Sequence, residues 1–183
     1  MPVPEPGYLR PMRPLLALLR GPNGHPLHPP FTDATIGAYA VASLLGILAV
    51  AGVATARTTT GWWLALLVAL CLTVPTAVTG LADWLQITWW TPLWRVATAH
   101  MVAMVVAAGL FLAALLVGKG DYDAGTLGAA PLALTLAGFA TLTLGGWLGG
   151  TIVFVYGMRV LGIPDAPPLE AVKPAEPDQR KAA

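Results

Sequence analysis

Charged side chains are scarce in this sequence, and this scarcity distinguishes a membrane protein from a soluble one. Asp, Glu, Lys and Arg make up 10% of the 183 residues, while hydrophobic residues make up 56%. An average soluble domain carries about 25% charged residues, so too few polar groups are present to cover a surface that faces water. The formal net charge of +1 also excludes the strongly basic surface of a nucleic-acid-binding protein. The composition therefore indicates an integral membrane protein.

Cysteine pairs and a secretory signal are missing as well. Cys71 is the only cysteine, so no disulfide can form within the chain. The N-terminal stretch RPLLALLRG has an apolar core of five residues, which is shorter than the apolar region of a signal peptide, and no small-residue cleavage site follows it. We expect this stretch to form a short helix that lies in the membrane interface.

Four apolar runs dominate the rest of the chain, each close to the ~20 residues that span a bilayer as a helix. They cover about 34–56, 61–87, 95–117 and 131–156. Only residues 57–60 separate the first two runs, so we expect the chain to turn there and form an antiparallel hairpin. The pattern predicts an all-α fold: a four-transmembrane-helix antiparallel bundle, preceded by the short interfacial helix.

These runs divide the chain into three parts. Residues 1–22 form an N-terminal segment that contains the interfacial helix, and residues 23–162 form the four-helix membrane domain. Residues 163–183 form a proline-rich, charged tail. We expect this tail to be disordered, because its composition buries too little apolar surface to fold.

Lysine and arginine are distributed unequally between the two sides of the predicted bundle. The richer side carries eight of these residues: Arg10, Arg13, Arg20, Arg95, Arg159, Lys173, Arg180 and Lys181. The other side carries two, Arg57 and Lys119. By the positive-inside rule, both termini are predicted to lie in the cytoplasm. The tryptophans Trp84, Trp89, Trp90 and Trp94 then fit the aromatic belt at the cytoplasmic interface.

A polar cluster is predicted at the cytoplasmic end, formed by Asp33, Asp83, Arg95 and Arg159. Asp83 shares a helix face with Thr76, Thr79 and Gly80. A short turn separates Asp83 from Arg95, and an ion pair between them would lock the hairpin. Alternatively, Asp83 is a carboxylate that accepts a proton or orients a ligand. Asp33 is well placed to cap the first membrane helix.

Three histidines are candidate ligands for a cofactor. His100 lies five residues after Arg95, roughly 7 Å deeper in the membrane at 1.5 Å per residue. His25 and His28 lie three residues apart and could converge with His100 on a metal or a haem iron. A histidine within a membrane helix is a functional hypothesis by default. The alternative is a plain hydrogen bond from His100 to a neighbouring helix.

The motif GGWLGG supplies two overlapping pairs of glycines four residues apart, Gly145/Gly149 and Gly146/Gly150. Such pairs allow two membrane helices to approach closely, and close packing is the favoured interpretation. The alternative is that the missing side chains leave room for a flat cofactor or a quinone ring beside Trp147.

Taken together, these motifs resemble the bacterial membrane family catalogued as domain of unknown function 2231. The resemblance rests on GHPLHP (24–29), on TD and IG shortly after it, on TGLADW (79–84), on Arg95 and His100, and on GGWLGG (145–150). It covers about residues 23–162, which include every membrane helix. It implies a multi-pass protein of the bacterial inner (plasma) membrane. In actinobacteria the family domain also occurs fused to a Rieske iron–sulfur domain, which implies a link with membrane redox chemistry.

Two positions depart from the pattern of that family. Its members often carry a histidine where this chain has Thr151, and an asparagine where this chain has Met104. Neither position can therefore supply the family's side chain here. The sequence also contains no cysteine–histidine pair of the kind that holds a Rieske cluster.

We therefore expect a non-catalytic accessory component linked to membrane redox chemistry, which holds haem b or contacts quinone near His100. Its expected partners are the lipid bilayer and either a membrane redox complex or further copies of itself. The alternative is a structural or assembly subunit without a cofactor, in which the polar cluster fixes the register of the helices. A transporter is less favoured, because neither an inverted repeat nor a broken helix is visible.

Overall fold

The computed structural model describes residues 15, 18, 19, 21, 25–160, 165 and 167–169. Its helices are α1 (His28–Val50), α2 (Thr55–Trp84), α3 (Pro92–Val117), the short α4 (Lys119–Ala124) and α5 (Ala129–Gly150), and the last continues into a π-helical turn (Thr151–Val155). The described residues contain no strand. Four of the helices are long and apolar enough to cross a membrane. This confirms the predicted all-α fold with four membrane-spanning helices.

The N-terminal helix is also present, as far as its residues are described. Leu15, Leu18 and Leu19 are helical. Leu19 packs against Ala82 near the end of α2, and Ala82 is almost completely buried. The short helix therefore contacts the end of the bundle where α1 begins, α2 ends, α3 begins and α5 ends. We call this end the histidine end.

α1 begins earlier than its sequence suggested. It starts at His28 with prolines in its first turn, and its N-cap, Leu27, makes no side-chain capping hydrogen bond. Proline fits there because the first N–H groups of a helix have no partner within the helix. The prediction that Asp33 caps the helix is wrong, since Asp33 lies inside α1 and is exposed.

The first hairpin turns at 51–54 rather than at the predicted residues 57–60. Gly52 and Ala54 have φ angles of 82° and 47°, which lie in the left-handed region that reverses the chain. The Thr58 hydroxyl lies 3.0 Å from the Val53 carbonyl oxygen and 3.1 Å from that of Thr55. The polar residues after the turn therefore belong to the first turn of α2, and the Thr58 hydroxyl contacts carbonyl oxygens of the turn.

The helices pack as two antiparallel pairs, α1 against α2 and α3 against α5, and contacts of α1 with α5 and of α2 with α3 complete the bundle. The ring of Tyr39 stacks on that of Phe111 at a centroid distance of 3.8 Å. Trp62 is fully buried and donates from Nε1 to the Thr135 hydroxyl at 3.1 Å. Many leucines and valines on the outside are exposed, as expected for side chains that face lipid.

Candidate functional site

His28, the first residue of α1, is held against α2. Its Nδ1 lies 3.1 Å from the carbonyl oxygen of Thr76 and 3.4 Å from the Thr79 hydroxyl. Because a carbonyl oxygen only accepts, Nδ1 carries the hydrogen and Nε2 of the neutral ring keeps its lone pair. This Nε2 lies 3.4 Å from the hydroxyl oxygen of Thr32, one turn further along α1. A Cβ atom on Gly80 would lie 2.8 Å from Cε1 of the imidazole. The ring therefore needs glycine at that position.

His100 is held against α5 in the same way. Its Nδ1 lies 2.7 Å from the carbonyl oxygen of Gly145, so Nδ1–H donates and Nε2 keeps its lone pair in the neutral ring. A Cβ atom on Gly149 would lie 3.1 Å from Cε1 of this imidazole. In both helix pairs, the glycine beneath the ring follows four residues after the carbonyl that accepts the hydrogen bond.

The two histidines belong to one group together with Asp83. His28 is close enough to both Asp83 and His100 to interact with them electrostatically. We call these three residues the histidine cluster. His25 is exposed, and the part of the chain that the structure describes holds no group of three His, Cys, Asp or Glu side chains able to bind a metal. The three histidines predicted to converge on one metal therefore do not form such a site in the described part of the chain.

Among the described residues, Asp83 forms an ion pair with Arg159 rather than with the predicted Arg95. Arg159 Nη1 lies 3.8 Å from Asp83 Oδ1, and the two side chains are 20% and 11% exposed. The chain returns to Asp83 after α5 through the π-helical turn. Two left-handed residues follow, Gly157 with φ 65° and Arg159 with φ 62°. π-Helical turns and left-handed non-glycine residues are found preferentially at functional sites.

Arg95 lies on a different face of α3 from the histidine cluster. It is five residues before His100, which is a rotation of about 140° around the helix. Arg95 is exposed, whereas His100 is half-buried. Of the four residues predicted to form one polar cluster, the structure pairs Asp83 with Arg159, leaves Asp33 exposed on α1 and puts Arg95 on the outer surface.

The four glycines of GGWLGG also divide into two kinds. A Cβ on Gly145 would lie 3.1 Å from Met104 Sδ on α3, and Gly149 has the His100 ring as its neighbour. A Cβ on Gly146 would meet no atom within 4 Å. Gly150 approaches only Phe154, at 3.8 Å. Gly145 and Gly149 therefore face α3, while the other two lie away from it.

Three positions raised by the sequence have local roles. Trp147 is 79% exposed, so the space beside it lies on the outside of the bundle. Met104 packs its thioether against Gly145. The Thr151 hydroxyl donates to the carbonyl of Trp147 at 3.1 Å, at the start of the π-helical turn. The positions at which this chain departs from the family pattern thus carry packing and backbone contacts.

A line of hydroxyl groups between α1 and α2 was missed by sequence reasoning. Thr35 and Thr76 hydroxyl oxygens lie 2.9 Å apart, and the Tyr39 hydroxyl lies 2.9 Å from that of Thr73. The signal was the spacing of Thr73, Thr76 and Thr79 along one helix face, which sequence reasoning noted only from Thr76 onward. Together with His28, these groups connect the two helices by hydrogen bonds over about three turns.

A cleft of about 460 Å³ with both polar and apolar lining residues opens at the histidine end beside the ion pair. It is lined by Asp83, Gln86, Ile87, Thr88, Thr91, Leu93, Met158 and Arg159. Asp83 therefore has two neighbourhoods: its carboxylate faces this cleft, and it also acts electrostatically on His28 inside the bundle. The carboxylate therefore links the electrostatics of the cleft to those of His28.

Comparison with known proteins supports the membrane assignment. A family model described as "Predicted membrane protein (DUF2231)" matches residues 24–162. This range contains all four membrane-spanning helices and the whole histidine cluster. No curated protein and no solved structure matches the chain.

Proposed function

This chain belongs to the DUF2231 family of predicted membrane proteins, and on that premise we propose that it is a non-catalytic accessory component of membrane redox chemistry. In this proposal His28 and His100 contact the redox-active ligand, a quinol or haem b. The histidine end faces the cytoplasm of a bacterial plasma membrane, which the eight-to-two distribution of Lys and Arg supports. The partner is a membrane redox complex or a second copy of the chain.

The observation that carries the proposal is the matched anchoring of the two imidazoles. Each ring donates from Nδ1 to a main-chain carbonyl of the partner helix, at 3.1 Å for His28 and 2.7 Å for His100. This contact fixes the ring and leaves Nε2 as the basic atom. The same anchoring is typical of histidines that bind a metal, and the lone pair on Nε2 can equally accept a hydrogen bond from a ligand.

Haem b is supported by the chemistry of these donors but not by the space around them. Two imidazoles whose Nε2 keeps its lone pair are a suitable ligand set, although the Thr32 hydroxyl lies 3.4 Å from that atom of His28, and a bound haem b would supply one-electron transfer. Both rings, however, lie against glycine backbone, and neither imidazole lines the cleft beside the ion pair. A macrocycle needs a wide slot between the rings, whereas a quinol hydroxyl needs access to only one Nε2. We therefore favour the quinol.

Asp83 has a defined role in this proposal. When the Nε2 atom of His28 accepts a hydrogen bond from a quinol hydroxyl, positive charge develops on the ring. The carboxylate of Asp83 acts electrostatically on His28 and stabilises that charge. The pairing of Asp83 with Arg159 holds the carboxylate beside the cleft that both residues line.

A structural or assembly subunit without a cofactor is the second candidate, and one observation favours it. The hydroxyl groups of Thr35, Tyr39, Thr73 and Thr76 bond to one another across α1 and α2. Hydrogen bonds of this kind hold membrane helices in register. In a structural subunit, these hydroxyl groups would serve only to hold α1 and α2 in register.

The test is ligand content and ligand binding of the purified protein. We expect a mild-detergent preparation to contain extractable quinone, or to show a haem spectrum that changes on reduction with dithionite. His28→Gln and His100→Gln should each lose the ligand while the α-helical circular dichroism is kept. His25→Gln, an exposed histidine outside the cluster, is the matched control and should retain it. A wild-type protein with no haem spectrum, no extractable quinone and no response to added quinone would leave the structural-subunit function.

A further inference from the structure

A second, apolar groove of about 590 Å³ lies on the outer surface between α3 and α5. Its lining residues are Trp94, Arg95, Thr98, Ala99, Val102, Ala103, and Val106 on α3, and Thr141, Leu144 and Leu148 on α5. On α3 the lining extends from Trp94 to Val106, which is roughly 18 Å at 1.5 Å per residue. This length is close to the depth of one leaflet, about half of the ~30 Å hydrocarbon core. No carboxylate lines this groove.

Arg95 lies at the end of the groove nearest the membrane surface. It is in the first turn of α3, which begins at Pro92, and it is exposed. The ion pairs between described residues join Lys119 to Asp123 and Arg159 to Asp83, so no described carboxylate neutralises this guanidinium. An exposed guanidinium at the edge of a hydrocarbon-facing surface is well placed to pair with the anionic headgroup of a lipid.

The level of Arg95 is that of the membrane interface. Trp94 contacts Trp90 at a ring-centroid distance of 5.0 Å and both Trp84 and Trp89 at 6.1 Å. Clustered tryptophans are typical of the layer in which lipid headgroups lie. The guanidinium of Arg95 is therefore at headgroup level, with the apolar groove directly beneath it.

We propose that this groove binds one acyl chain of an anionic phospholipid, whose phosphate pairs with Arg95. Guanidinium and phosphate form short, charge-assisted hydrogen bonds, often two in parallel. The groove supplies apolar contact for a chain over the depth of a leaflet, which a free phosphate ion could not use. The site is independent of the proposed redox role, because Arg95 and His100 lie about 140° apart around α3.

The proposal is tested by lipid-dependent stability in a neutral detergent. We expect phosphatidylglycerol to raise the melting temperature of the full-length protein at concentrations at which phosphatidylcholine with the same acyl chains has little effect. Inorganic phosphate at equal concentration should not reproduce the shift. Native mass spectrometry should show one phosphatidylglycerol molecule retained more strongly than the others.

Variants separate the charge from the groove. Arg95→Gln should weaken the binding of phosphatidylglycerol about tenfold or more, as the loss of a charge-assisted contact predicts, and Arg95→Lys should recover part of it. Val102→Trp should block the acyl chain while leaving Arg95 in place. Arg57→Gln removes an exposed arginine at the opposite end of the bundle and is the control that should change nothing.

Three results would overturn the proposal. These are equal stabilisation by both lipids, full stabilisation by inorganic phosphate alone, and unchanged affinity for phosphatidylglycerol in Arg95→Gln. If Val102→Trp does not fold, the pair Arg95→Gln and Arg57→Gln still decides the outcome. Quinone or haem content should be the same in Arg95→Gln as in the wild type, which distinguishes this site from the histidine cluster.

Discussion

The ion pair between Asp83 and Arg159 makes a quantitative prediction about stability. Two unit charges 3.8 Å apart attract by about 4 kcal/mol at an effective dielectric constant of about 20. Desolvation removes part of this attraction, but the side chains are only 11% and 20% exposed, so water screens them weakly. Removing one partner from a fully buried pair costs about 3–5 kcal/mol. For this partly exposed pair, we expect about 2–3 kcal/mol for either single variant.

The assay is a double-mutant cycle with Asp83→Asn and Arg159→Gln, measured as the free energy of unfolding in one detergent. If the charges interact, the second substitution costs less in the background of the first. We expect a coupling free energy of about 1–2 kcal/mol, well above the error of about 0.5 kcal/mol for independent sites. A second cycle pairs Asp83→Asn with Arg95→Gln, and its effects should add because Arg95 lies on the outer surface.

The reasoning fails if the two cycles give the opposite result. Additive losses for Asp83 and Arg159, with coupling between Asp83 and Arg95, would mean that the hairpin itself forms the ion pair. The path of the chain after α5 would then differ from the structure. Circular dichroism of each variant verifies that the helices are retained and that the free energies refer to the same fold.

Three further predictions concern the packing and the orientation of the bundle. Gly149→Leu should lower the free energy of unfolding by about 1–3 kcal/mol through overpacking, because a Cβ there would already lie 3.1 Å from the ring of His100. Gly146→Leu is the control and should cost little, since its Cβ would meet no atom within 4 Å. Equal melting temperatures for the two variants would contradict this prediction. Trp62→Phe should lower the free energy of unfolding by about 1–3 kcal/mol, because Trp62 is fully buried and donates a hydrogen bond. Its control, Trp147→Phe, should leave this free energy nearly unchanged, because Trp147 is 79% exposed. Reporter enzymes fused at either terminus should be active only in the cytoplasm, and activity on the outer side would reverse the orientation.

The number and type of the helices could be predicted from the sequence because both depend on local composition. Each apolar run is long enough to cross the hydrocarbon core, and in lipid the backbone of such a run must form a helix. The ends of the helices were less predictable. The turn between α1 and α2 depends on the left-handed residues Gly52 and Ala54, whereas the polar residues that suggested a loop, such as Thr58, act inside α2.

The candidate site was only partly predictable for a different reason. Spacing along the chain gives the depth of a residue, but the direction in which it points depends on how the helix is rotated in the bundle. The sequence places His100 roughly 7 Å deeper than Arg95 along α3, but it does not show that the two side chains lie on different faces of that helix, with Arg95 exposed and His100 half-buried. The partner of Asp83 was less predictable still, because Arg159 reaches it through a π-helical turn and a left-handed residue that no hydrophobic pattern specifies.

The same pair of backbone contacts holds both histidines of the cluster. In α2, the carbonyl oxygen of Thr76 accepts the hydrogen bond from His28, and Gly80, four residues later, leaves space for the ring. In α5, the carbonyl oxygen of Gly145 accepts from His100, and Gly149 leaves space for that ring. A glycine beneath the ring lets the imidazole reach a carbonyl oxygen that is already part of the helix. The hydroxyls of Thr79 and Thr32 add contacts to the two ring nitrogens of His28. In both helix pairs, therefore, a main-chain carbonyl fixes Nδ1, and this contact sets the direction of Nε2.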